Sequence, residues 1–145
     1  MGEGGDVNLS VVENWTETVL PSLLKDYSPE DVYNADETGL FFHAQPKKTL
    51  HFRGERCDGG KQSKERISVL VCANMTGTDK PKLLVIGKAA KPRCFKNVKS
   101  LPVVYRNNKR AWMTSDIFVE WLRSLDKQFR LQKRKCLLLI DNCPR

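Results

Sequence analysis

A chain of 145 residues with two histidines, five cysteines and no Cys-x-x-Cys pair has little from which to build a zinc site or a disulfide framework. His43 and His51 stand eight positions apart, and neither has a cysteine at ligand spacing. Cys57, Cys72, Cys94, Cys136 and Cys143 are scattered and odd in number, so they read as reduced thiols. Long apolar runs are missing as well: a stretch such as residues 136–140 falls far short of the ~20 residues that a membrane-spanning helix needs. The opening MGEGGDVNLS has neither the basic start nor the apolar stretch of a secretory signal. That sets the expectation of a reducing compartment and of a loose, glycine-rich, disordered tail over residues 1–9. What remains has the size and balance of one globular domain over residues 10–145, with 40% hydrophobic and 29% charged residues in the chain.

Basic residues are nearly absent from the first third of the chain and crowd the rest. Residues 1–45 hold one, Lys25, against nine acids, whereas residues 46–145 hold 24 against eight. The net charge of +8 therefore conceals an acidic lead-in and a strongly basic body. A body of that charge density fits a phosphate-binding surface, because each neutralised phosphate releases counterions. A solvated, lysine-rich surface that serves solubility is the alternative that charge alone leaves open. The polar, Gly-rich loop over residues 54–66 is the candidate for phosphate contact, through Lys61, Lys64 and Arg66.

Periodicity supplies the elements. Val12, Trp15, Val19 and Leu23 recur at helical steps, which predicts an amphipathic lead-in helix over residues 10–26, interrupted or restarted at Pro21 and packed on the body. A strand is predicted over residues 32–37 with a break at Gly39, followed by the β-like LFFHA and KTLHF. RISVLVCANM and PKLLVIG, separated by the turn GTDK, predict a hairpin of residues 67–75 and 82–86, and VVYR a short strand in the irregular basic stretch 88–111. TSDIFVEWLRSLDKQFRLQ is the clearest helix: Thr114 or Ser115 caps it, and Ile117, Phe118, Trp121, Leu122, Leu125 and Phe129 form one apolar stripe. The strand CLLLI after it is apolar on both faces, as parallel strands at a sheet centre are. Trp15, Trp112 and Trp121 are expected to serve core or interface packing, with base-stacking platforms as the alternative.

Two carboxylates stand where such a pattern wants none. Asp36 follows the apolar start of the first strand, and Asp141 ends the last one. A helix followed by a buried strand is the second half of a crossover, so the last strand can lie beside the first and make the two aspartates neighbours. Like charges that close repel unless a divalent cation sits between them. The alternative is that Asp36 caps the turn before Gly39 and that Asp141 and Asn142 merely end a strand. Glu37, by alternation, belongs to the opposite face of the sheet.

The blocks ENWTETVLPSLLKDYSPEDVYNADETGLFF, GERCDGGKQSKERISVLVCANMTGTDKPKLLVIGKAAKPRCFKNVKSLPVVY, KRAWMTSDIFVEWL and CLLLIDNCP closely resemble the catalytic domain of Tigger proteins. These are pogo-lineage DNA transposases and their domesticated relatives, akin to centromere protein B and the jerky proteins. The resemblance runs from about residue 12 to the end, and it implies an α/β, RNase H-like fold: a mixed sheet that begins with three antiparallel strands, then a helix and a parallel strand. It further implies that Asp36, in its ADET context, and Asp141, in its DN context, are catalytic, metal-binding carboxylates of a DDE superfamily endonuclease that uses Mg²⁺ or Mn²⁺. The third acid of that triad is expected some tens of residues after DNCP, and the DNA-reading modules ahead of residue 10. The expectation is thus a domain incomplete at its C-terminal side, nuclear, DNA-binding and itself not catalytic, with no membrane, no small-molecule substrate and self-association along its edge. A metal-dependent endonuclease or transposase and a basic protein-interaction module are the other two readings.

Overall fold

Residues that alternate between two environments build the sheet. In β1 (Val32–Leu40), Tyr33 and Ala35 are buried while Asn34 and Asp36 are exposed, so the strand has one face inward and one outward. β2 (Ile67–Asn74) and β3 (Leu84–Gly87) continue it as an antiparallel meander, β4 (Val104–Asn107) runs parallel to β3, and β5 (Leu137–Ile140) runs parallel to β1. The computed structural model describes residues 9–42 and 65–141, and across them the strand order is β4-β3-β2-β1-β5. The expected meander and crossover are present, and β5 lies beside β1 as expected, but it is the edge strand of the described sheet and only partly buried rather than central, because no described element covers its outer side.

The crossover helix α3 (Ser115–Leu131) covers the inward face. Its Trp121, Leu125 and Phe129, four residues apart, lie on Tyr33, Ala35, Leu70, Cys72, Leu84 and Ile86. Thr114 caps the helix, its Oγ1 accepting the Ile117 N–H at 3.4 Å. Lys133, at φ 56°, turns the chain out of the helix in the left-handed conformation, so that the Arg134 N–H reaches the Phe129 carbonyl at 3.0 Å.

That exit delivers Arg134 to the start of the sheet. Its Nε donates to Asp31 at 2.7 Å, its Nη1 reaches Asp79 at 3.3 Å, and its Nη2 donates to the Tyr33 hydroxyl at 3.0 Å. The Tyr33 hydroxyl in turn donates to Asp79 at 2.6 Å. Burial, helped by the Asp79 carboxylate, pushes the Tyr33 hydroxyl up to about 12, whereas the Arg134 guanidinium holds Asp31 below the usual carboxylate range. The network ties together the residue before β1, the turn after β2 and the approach to β5.

Three details depart from expectation. β1 does not break at Gly39 but runs on to Leu40, with Gly39 opposite Ser68 and the Arg66 side chain lying over it, where a Cβ would sit 3.3 Å from Nη1. The lead-in helix is present as α1 (Leu9–Asn14), a wider π-type turn at Trp15–Val19 and α2 (Leu20–Leu24), yet none of its residues is buried. Pro21 has no N–H to offer the preceding turn, which accounts for the irregularity there. Of the three tryptophans only Trp121 is buried; Trp15 and Trp112 are 42% and 52% exposed. Amphipathic spacing predicts the stripe of a helix but not whether a partner covers it. Residues 1–8, LFFHA beyond Phe42 and all of KTLHF lie outside the described residues. Cys72, Cys94 and Cys136 are free thiols.

Arg134→Met should destabilise the fold by about 2 kcal/mol near neutral pH, because it leaves two part-buried carboxylates without their cation. Asp31 is held low in the folded chain, so its share of that stability is present above its unfolded value near pH ~4 and is lost as pH falls through the lower folded value. Urea denaturation of the parent and the variant should therefore show a gap at pH 7 that narrows below pH ~4.

Candidate functional site

The ladder between β1 and β5 decides where the two aspartates go. Its pairs are Val32 with Leu137, Tyr33 with Leu138, Asn34 with Leu139 and Ala35 with Ile140. Asp36 is the next residue of β1, and Asp141 follows the last residue of β5. Alternation gives Asp36 the face turned away from α3, the face of Asn34 and Leu139, and the same alternation carried one residue past β5 would give that face to Asp141. Asn34, Asp36, Val71 and Leu139 all line an open depression of ≈ 380 Å³ on that face. The Asn34 side chain crosses from β1 to β5 there, donating to the Leu139 carbonyl at 3.4 Å.

Asp36 is exposed, and its Oδ1 accepts the N–H of Glu37 at 2.7 Å. It sits opposite Val71 in the middle of β1, four residues before the strand ends, so it does not cap a turn. That removes the turn-capping alternative for Asp36. Among the described residues neither Asp36 nor Asp141 is in an ion pair with a lysine or arginine. Hard oxygen donors of this kind, if brought together, would suit a divalent ion such as Mg²⁺. No group of three or more histidine, cysteine or acidic side chains gathers into a metal cluster among the described residues. Asn142 lies outside them.

Glu37 faces the other way. Desolvation raises it above the ordinary carboxylate range, the Asp36 charge adds to the rise, and Arg66 opposes it. Arg66 is half-buried rather than solvated: its Nη2 donates to Ser68 at 3.1 Å and its guanidinium lies over the Trp112 ring, 4.7 Å from the centroid. Lys61 and Lys64 lie outside the described residues. The described basic surface is instead the connection from β3 to β4 and the loop after β4. Residues 88–110 hold eight basic side chains and no acidic one, a run visible in the sequence but overshadowed by the Gly-rich loop before β2. The Arg134 network also escaped the sequence reading, because nothing in the chain's spacing connects Asp31, Asp79 and Arg134.

In Arg66→Met, the Glu37 carboxyl should titrate higher still, since the one charge that lowers it is gone. Side-chain carboxyl NMR across a pH series would show the shift; an unmoved midpoint would mean that Arg66 and Glu37 are not coupled.

Comparison with known proteins follows the same residues. Residues 64–145 match the family model described as DDE superfamily endonuclease. The chain is 48% identical over 130 residues to Tigger transposable element-derived protein 4 of Mus musculus, an alignment that takes in 90% of this chain and 25% of that protein. It is 36% identical over 120 residues to the Major centromere autoantigen B of Homo sapiens, covering 82% of this chain and 19% of that protein. The chain thus spans about a quarter or less of the length of these relatives. Among solved structures, a pre-cleavage Mos1 transpososome superposes with a TM-score of 0.52 at 14% identity, over 96% of this chain and 38% of that one.

Proposed function

The chain belongs to the DDE superfamily endonucleases and carries their RNase H-like fold, and on that premise we propose that it is a transposase-derived DNA-binding domain of the nucleus, without cleaving activity of its own. The observation that carries this reading is the continuation of the β1–β5 register to Asp36 and Asp141 on one face, beside a basic loop surface. Such a pair suits one divalent cation, which when bound supplies charge stabilisation at a phosphodiester oxygen. Asp36 and Asp141 would hold it; Asn34, tied to the Leu139 carbonyl, fixes the spacing of the strands that carry them. The depression along β1 and β2 leaves Asp36 open to a large substrate.

Cleavage asks for more. Phosphoryl transfer depends on positioning, and two-metal chemistry needs ligands on both sides of the scissile phosphate. The reading supplies two carboxylates, Asp36 and Asp141, and no group of three or more acidic, histidine or cysteine side chains gathers among the described residues. β5 is an edge strand of the described sheet, and Ile140 on it is 52% exposed, so self-association along that edge belongs to the same reading.

Calorimetric titration with Mg²⁺ or Mn²⁺ should show saturable binding that Asp141→Asn weakens at least tenfold; an unchanged isotherm would remove the carboxylate pair from the reading. Duplex DNA should bind without sequence preference, with log affinity falling linearly in log salt at a slope of about −0.9 per phosphate contacted. Flat affinity between low and high salt would count against it. Supercoiled plasmid should stay intact with either metal, and nicking abolished by Asp36→Asn would show that another side chain completes the site.

A further inference from the structure

We propose that Trp112 is a stacking platform for an unpaired nucleotide, flanked by Lys109 and Arg110 as its phosphate contacts. This rests on the DNA-binding reading and names a feature of the strand that would be bound.

An indole buries a large apolar area when it can, yet that of Trp112 is 52% exposed in a loop that holds it firmly. Asn108 does the holding: its Oδ1 accepts the N–H groups of Arg110 at 3.1 Å and Trp112 at 3.2 Å, and its Nδ2 donates to the Trp112 carbonyl at 2.6 Å. Between them Ala111 is buried at φ 54°, a left-handed conformation unfavourable for alanine, and its carbonyl accepts the Ser68 hydroxyl at 2.7 Å. The Arg66 guanidinium lies over the ring at 4.7 Å. A ring fixed in this way loses little conformational freedom on binding, which is what a stacking site requires.

Its surroundings specify the partner. The Asn108 N–H donates to the Gly87 carbonyl at 3.1 Å, which sets Lys88 beside the loop that carries Lys109 and Arg110. Across residues 88–110 the ion pairs among the described residues are Arg106 with Glu120 and a long contact of Lys88 with Glu65 at 3.9 Å. The remaining cations are available to an anion. A basic groove with an exposed aromatic is the combination by which proteins hold single strands, the cations tracking the backbone and the ring accepting any base. β1, β3, β4 and β5 all run the same way, and the β3–β4 ladder sets Lys88 and Asn108 side by side just past the ends of their strands, several rungs beyond Asp36 in the middle of β1. Arg66 lies over Gly39 of β1 on one side and Trp112 on the other.

The test is fluorescence anisotropy with a labelled oligo-dT and a labelled mixed-sequence duplex, on the parent chain, Trp112→Leu, Trp112→Phe and the double variant Lys109→Glu with Arg110→Glu. Loss of one stacked base should cost Trp112→Leu about tenfold in oligo-dT affinity and leave the duplex unchanged, while Trp112→Phe retains most of the binding. The charge-reversed variant should weaken both probes. Thermal melts of each variant separate misfolding from lost contact, and Trp112→Phe decides the matter if Trp112→Leu unfolds. Equal affinity of parent, Trp112→Leu and Trp112→Phe for oligo-dT, with duplex binding intact, would overturn the stacking site and leave the DNA-binding reading standing. A parent chain that binds neither probe would overturn both.

Discussion

The arrangement of the carboxyl edge of this sheet depends on one register, that of β5 against β1. A one-residue slip in that ladder would send Asp141 to the α3 face and leave Asp36 alone on the other. Backbone hydrogen bonds alone do not choose between registers; something at the strand ends must. Arg134 does this work, because it stands three residues before β5 and grips Asp31, the residue before β1, together with Asp79 of the turn after β2. The cations and carboxylates at the amino end of the parallel strands thus set where the carboxylates at the other end fall.

The two ends of the sheet treat charge in opposite ways. At the amino end Arg134, Asp31, Asp79 and Tyr33 satisfy one another, partly buried and closed to other partners. At the carboxyl end the charges are sorted rather than paired. Among the described residues neither Asp36 nor Asp141 is in an ion pair with a lysine or arginine, and the loops after β3 and β4 carry cations without acids. Sorted charge is costly to a folded chain unless something else completes it. On the proposed reading a divalent ion would complete the acidic half and a phosphate backbone the basic half, so that one polyanionic partner with metal would account for both.

The sequence carried the fold because its local preferences agree with one another. α3 has a capping threonine, a stripe of Trp121, Leu125 and Phe129 and a basic last turn; β5 is uniformly apolar; the turn between β2 and β3 is marked by Gly77 at φ 70°. Each of these is a short-range feature, readable in a window of a few residues. Asp36 and Asp141 were legible for a different reason, as charges placed against an apolar pattern. What escaped was long-range or concerned exposure. The contact of Arg134 with Asp31 spans 103 positions, and no periodicity announces it. Trp15 and Trp112 look like core residues by type, and only the fold shows that no described element covers them. Gly39 looked like a strand breaker, yet the strand runs through it with the Arg66 side chain lying close across it.

The division between folding and chemistry falls inside a single strand. The first half of β1, with Val32, Tyr33 and Ala35 buried, builds the core; from Asp36 to Leu40 every residue is exposed. The exposed half still pairs with β2 along its whole length, from Asp36 opposite Val71 to Leu40 opposite Ile67. A loop would leave a carboxylate there to wander, whereas a strand paired with β2 holds it to a fixed rung while contributing little buried area of its own. Removal of the Asp36 carboxyl therefore touches the site and hardly the core, while truncation of Tyr33 would remove a core ring that packs 4.9 Å from Phe129 and a hydroxyl of the Arg134 network. Stability and chemistry are separable at the boundary between Ala35 and Asp36, and that is also where the parallel ladder to β5 has its last pair.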